Sequence, residues 1–107
     1  MKTFDELLKI LNEANIQQDE MAWEENIPEE IWEELWDRYV VLAEEIDVDK
    51  HRWYETSVTV VKIDDRFMGI DHVSNIFSET MHVSDVGYII KFFEMVEINQ
   101  PTYIKKL

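Results

Sequence analysis

An α+β domain, with N-terminal helices packed on a three- or four-stranded antiparallel sheet, is the fold that this sequence predicts. Three observations carry it. Apolar residues recur at helical spacing up to about residue 46, and the period changes from about 3.6 to 2 near residue 50. From there the composition shifts to β-branched and aromatic residues, as strands require. Finally, 107 residues suffice for one modest core, and helices followed by strands build it as two layers. The expected organisation is a single domain over 1–107, with a helical, acidic part over about 1–49 and a sheet part over about 50–107.

Thr3-Phe4-Asp5-Glu6 reads as a capping box, so a helix is placed at about 3–14. Phe4, Leu7, Leu8, Leu11 and Ala14 form its apolar stripe, and Asn15 suits a left-handed residue just past its end. Residues 16–27 are ambiguous, with Asp19 to Glu25 able to make a short helix. Pro28 suits a first helical turn, and Glu29 and Glu30 suit the positive end of the helix dipole. A second helix is expected over about 28–46, with Ile31, Leu35, Tyr39, Leu42 and Ile46 on one face. On that assignment Leu35→Ala damages the fold and Glu34→Ala does not.

Trp53 to Ile63 predicts a strand, Asp64-Asp65 a turn, and Arg66 to Val73 a second, antiparallel strand in which Gly69 marks a bulge. Ser74 to Gly87 reads as a long connection with a helical turn around Asn75-Ile76-Phe77. Tyr88 to Glu97 fits either a helix or a strand, and its β-branched and aromatic content favours the strand. Pro101 ends that element, and Thr102-Tyr103-Ile104 adds a short edge strand guarded by Lys105 and Lys106.

The charge is concentrated in one window. Thirteen of the 24 acids lie between Asp19 and Asp49, against the single base Arg38, and each flank carries one excess negative charge. The net charge of −14 disfavours contact with nucleic acid or anionic membrane and favours a basic partner. On a helix over 28–46, Glu29, Glu30, Glu33, Glu34, Asp37, Glu44 and Glu45 form an acidic outer face. Carboxylates on successive turns would then stand about 5 to 6 Å apart, within a factor of two of phosphate spacing. Trp32 and Trp36 lie beside that face, and an exposed Trp near carboxylates is a recurrent interface anchor. These nine residues are the candidate partner-binding set. A solvated face that maintains solubility is the rival explanation, and repulsion between neighbouring carboxylates argues against it.

Catalytic signatures are sparse. Zero cysteines exclude disulfides, thiolate metal sites and a Cys nucleophile. His51, His72 and His82 lack metal-ligand spacing, Asp64-Asp65 is a turn before it is a carboxylate pair, and two glycines cannot build a phosphate loop or a nucleophile elbow. No enzyme, metal or cofactor is expected. No apolar run approaches the roughly 18 to 20 residues of a membrane span, and the N-terminus lacks a signal-peptide layout, so a cytoplasmic location is expected.

Arg52-Trp53-Tyr54-Glu55-Thr56, Gly69, Phe77-Ser78-Glu79, Asp85 and Phe92-Phe93-Glu94-Met95 together resemble small proteins carried by phages and prophages of Gram-positive bacteria. The resemblance covers residues 51–97. In size and acidity the chain is similar to anti-CRISPR and anti-restriction proteins. That likeness implies a stoichiometric inhibitor occupying the basic groove of a nucleic-acid-binding defence protein, a CRISPR effector nuclease being one candidate. The acidic window lies outside the resembling block, so no site residue transfers to it. The alternative function is an antitoxin-like or regulatory interaction module that binds through its sheet or the 74–87 loop.

Overall fold

The computed structural model describes residues 1–20, 22–99 and 102–106. Its order is α1 (Phe4–Glu13), a 3-10 turn (Trp23–Asn26), α2 (Glu29–Leu35), β1 (Tyr39–Lys50), β2 (Tyr54–Ile63), β3 (Arg66–Ile76), α3 (Val83–Val86), β4 (Lys91–Asn99) and β5 (Thr102–Lys105). The fold is α+β, and the five strands form one antiparallel meander in chain order. None of the described helices is long and apolar enough to cross a membrane. The expected stop at Pro101 falls outside the described residues.

Helix α1 starts as its capping box dictates. The Glu6 amide donates to Thr3 Oγ1 at 3.2 Å and the Thr3 amide donates to Glu6 Oε1 at 3.4 Å, satisfying first-turn N–H groups that have no helical partner. Asn15, at φ 48°, takes the left-handed position that ends the helix. Phe4, Leu7 and Leu11 are buried on the sheet. Two amide side chains then mimic strand pairing. Asn12 exchanges two hydrogen bonds with the backbone of Phe92, and Gln18 does the same with Val73. Pairing of β3 with β4 stops at Asp71–Lys91, so Gln18 supplies the buried Val73 N–H and C=O with the partners that β4 does not.

The second helix is shorter than periodicity predicts. It stops at Leu35, and residues 39–50, expected to continue it to 46, are strand β1. That is why the sheet has five strands and not three or four. The cause is a coincidence of periods. Between Val41 and Asp49 the β1 residues paired with Val61, Val60, Val58 and Thr56 are Val41, Ala43, Ile46 and Asp49, with three register shifts. Each shift is an extra residue on β1, so its partly buried positions, Tyr39, Leu42, Ala43 and Ile46, recur about every three residues and imitate a helical stripe. Glu45 (φ 55°) and Asp47 (φ 48°) occupy left-handed backbone within this irregular stretch, a conformation that costs a non-glycine residue about 1 kcal/mol or more.

The turn at Asp64-Asp65 and the strands flanking it match the expectation, with Asp64 at φ 59°. Gly69 is not a bulge, because it pairs in register with Val60 and Phe93. It is small for a packing reason: a Cβ there would stand 2.5 Å from Phe93 Cε2 and 2.9 Å from Met95 Sδ. Strand β3 runs on to Ile76, so the helical turn expected at 75–77 is absent and forms instead at Val83–Val86, ended by Gly87 at φ 67°.

Two apolar layers result. Val61, Ile63, Met68, Ile70 and Phe92 face α1, α2 and the 3-10 turn, packed against Leu7, Leu11, Trp23 and Leu35. On the opposite face Val58, Val60 and Met95 form a smaller cluster. It draws in Ala43 and Ile46 of β1 and Tyr103 of β5, so the sheet curls its two outer strands toward one another. Among the described residues no helix packs on this second cluster.

Candidate functional site: a composite acidic surface

Helix α2 holds Ile31 and Leu35 in the core, which leaves Glu29, Glu30 and Glu33 exposed on its far side. Asp37 follows, exposed, in the turn to β1. Glu44 and Glu45 are also exposed but lie on β1. The single helical face expected for these seven acids therefore does not exist. The fold instead gathers acids from separate elements. Glu44 and Glu45 line a cleft of about 360 Å³ together with Glu20, Glu24 and Trp23. Glu24 also lines a neighbouring cleft of about 470 Å³ with Glu25, Glu29 and Trp32. Sequence reasoning omitted Glu20, Glu24 and Glu25 from the site because residues 16–27 had no assigned structure. Their place in the acidic window was the available signal. Of the thirteen acids between Asp19 and Asp49, eleven are exposed, Glu24 and Glu34 are intermediate, and none is buried.

The two tryptophans divide the work. Trp32 is half-buried against the core and lies edge-on to Trp36, with ring centroids 5.7 Å apart, and close to Tyr39 at 5.4 Å. Trp36 is 64% exposed. Burial, reinforced by the Glu24 charge, raises the Tyr39 hydroxyl above its usual range, so it stays a neutral donor.

Glu34 differs from its neighbours. Its carboxylate accepts the Lys2 backbone N–H at 3.0 Å, and Arg38 Nη1 stands 3.6 Å away. The backbone hydrogen bond, helped by nearby positive charge, holds its carboxyl below the ordinary value. Arg38 in turn donates to Asp64 at 2.7 Å, which lowers the Asp64 carboxyl and raises the guanidinium. The one base of the acidic window is thus spent inside the molecule, and Glu34 is a structural tie between the N-terminus and the end of α2.

The histidines are dispersed. His72 is buried, with Nε2 2.9 Å from the Thr59 hydroxyl and Nδ1 3.1 Å from the Val73 carbonyl. His51 lies 3.5 Å from Asp49, and His82 lies 3.1 Å from Glu20. Among the described residues no three His, Asp or Glu side chains group to hold a metal ion.

No protein-family model, curated protein or solved structure matches this chain.

Proposed function

We propose that this protein is a non-enzymatic binding protein whose acidic surface replaces nucleic-acid phosphates on a basic partner, acting as a stoichiometric inhibitor. One observation carries the reading: acids from α2, the 3-10 turn and β1 line two clefts that share Glu24, one beside Trp23 and the other beside Trp32, on whose edge the open Trp36 stands. Crowded like charges cost stability, and a positive partner surface converts that cost into attraction. Long-range steering accelerates the encounter, and Trp36 supplies contact area that slows departure. The likeness in size and acidity to anti-CRISPR and anti-restriction proteins extends the proposal to a bacterial defence protein, with a CRISPR effector nuclease as one candidate.

The test begins with capture of a nucleic-acid-binding protein from bacterial lysate, followed by competition against that protein's own DNA or RNA. The wild type displaces the nucleic acid at stoichiometric concentration. A Glu29→Lys, Glu30→Lys, Glu33→Lys, Asp37→Lys variant fails to do so while remaining folded. Binding also weakens as salt rises from about 50 to 500 mM, because the screening length falls from roughly 14 to 4 Å. Simultaneous binding of nucleic acid and protein, or full activity of the Lys variant, rejects the proposal.

A second reading, an interaction module that binds through its sheet, has its own observation. At the β1–β2 connection Trp53 is 48% exposed, with the Arg52 guanidinium 4.7 Å above its ring, and the 53% exposed Phe77 donates its amide to the Trp53 carbonyl. If Trp53→Ala and Phe77→Ala abolish capture while the Lys variant retains it, this tip is the binding surface.

A further inference from the structure

The sheet face opposite the helices has its own cleft, separate from the acidic surface. Its volume is about 390 Å³, within the roughly 300 to 1,000 Å³ range of small-molecule sites. Val58 and Phe93 supply an apolar floor, and Gly69, by lacking a Cβ, leaves room for the Phe93 ring. The walls are charged with opposite signs. Asp47 and Asp49 come from β1 at one margin of the sheet, while Lys91 and Lys105 come from β4 and β5 at the other.

These charges do not neutralise one another. Among the described residues neither lysine makes an ion pair. Lys91 lies opposite Asp71 in the β3–β4 register without forming an ion pair with it, and Asp71 lines the cleft beside Tyr88, whose hydroxyl is kept protonated chiefly by burial. The Lys91 ammonium sits instead 5.4 Å from the Tyr88 ring centroid, and that of Lys105 sits 4.8 Å from the Phe93 ring centroid. On the other wall Asp47 has no ion pair among the described residues, and Asp49 has only His51 at 3.5 Å. A ligand of one sign satisfies one wall and is repelled by the other. A small ligand carrying both signs satisfies both.

We propose that this cleft binds a free α-amino acid, its carboxylate between Lys91 and Lys105, its ammonium toward Asp47 and Asp49, and its side chain on Phe93 and Val58. The partner reading above is not required for it.

The experiment is a titration of the ¹⁵N-labelled protein at pH 7, followed by NMR, with each of the twenty protein amino acids at up to about 10 mM. At least one produces saturable shifts confined to residues lining the cleft, with Kd of about 1 mM or below. The N-acetyl and carboxamide derivatives of that amino acid each lack one charge and bind at least about tenfold more weakly. Lys105→Gln and Asp47→Asn, both exposed substitutions, each weaken binding by a similar factor and leave the remaining spectrum unchanged. Absence of binding by all twenty, shifts centred elsewhere, or equal binding of either derivative overturns the proposal.

Discussion

Arg66 of β3 and Glu94 of β4, diagonal neighbours in the strand register, form a two-pronged ion pair, Nε to Oε2 and Nη2 to Oε1, both at 2.9 Å. The same guanidinium holds Asp5 of α1 at 2.8 and 3.0 Å and lies 4.3 Å from the Phe4 ring centroid, and Lys106 stands 3.2 Å from Glu94. A single arginine therefore ties the first helix to the sheet beside the buried Phe4. The Arg66 hydrogen bonds, aided by Lys106, hold the Glu94 carboxyl down to about 2 from an ordinary 4.5.

A folded-state value below the unfolded one means that Glu94 contributes its full stabilisation above about pH 4.5 and loses it as pH falls toward about 2. Glu94→Gln is expected to lower stability at pH 7 by about 1 to 2 kcal/mol, since the pair is partly solvated. The gap between variant and wild type narrows steadily from about pH 5 to pH 2. Urea unfolding at several pH values measures it, and a gap that stays constant contradicts the assigned clamp.

Neighbouring residues of α2 separate core from surface. Leu35, 4% exposed, is expected to cost about 2 to 5 kcal/mol on truncation to alanine. Glu33→Ala removes a crowded, exposed carboxylate and leaves stability equal or slightly raised. Glu34→Ala, harmless on the periodicity argument alone, is now expected to destabilise, because it releases the Lys2 amide and Arg38. Thermal melts of the three variants check the order, with Leu35→Ala lowest and Glu33→Ala highest.

The bulged strand gives opposite predictions from its helical alternative. In β1 Glu45 pays for left-handed backbone, so Glu45→Gly is expected to stabilise by about 0.5 to 1 kcal/mol, a rise in Tm of roughly 2 to 8 °C. Asp47→Gly gains less, since aspartate tolerates that region better. Were residues 39–46 helical, the same glycine would cost about 1 kcal/mol. Calorimetry on Glu45→Gly therefore distinguishes strand from helix by the sign of the shift.

Much of this protein was determined locally, within reach of a few neighbouring residues. Thr3 and Glu6 specify the start of α1, and Asn15 its end. The apolar alternation of 53–63 and 66–73 around Asp64-Asp65 specifies a hairpin, and the crowding of acids between Asp19 and Asp49 is a property of the chain before it folds. The conformation of residues 39–50 was decided elsewhere. Tyr39, Leu42, Ala43 and Ile46 satisfy a helix of period 3.6 and equally a strand that gains one residue for every two of its neighbour, and only pairing with Val58, Val60 and Ile63 of β2 separates the two. That choice also decides the acidic surface, because it carries Glu44 and Glu45 away from α2 and sets them beside Glu20 and Glu24. The opposed walls of the second cleft were likewise invisible in the sequence: Asp47 and Lys105 are 58 residues apart, and only the curl of the sheet makes them face one ligand-sized space.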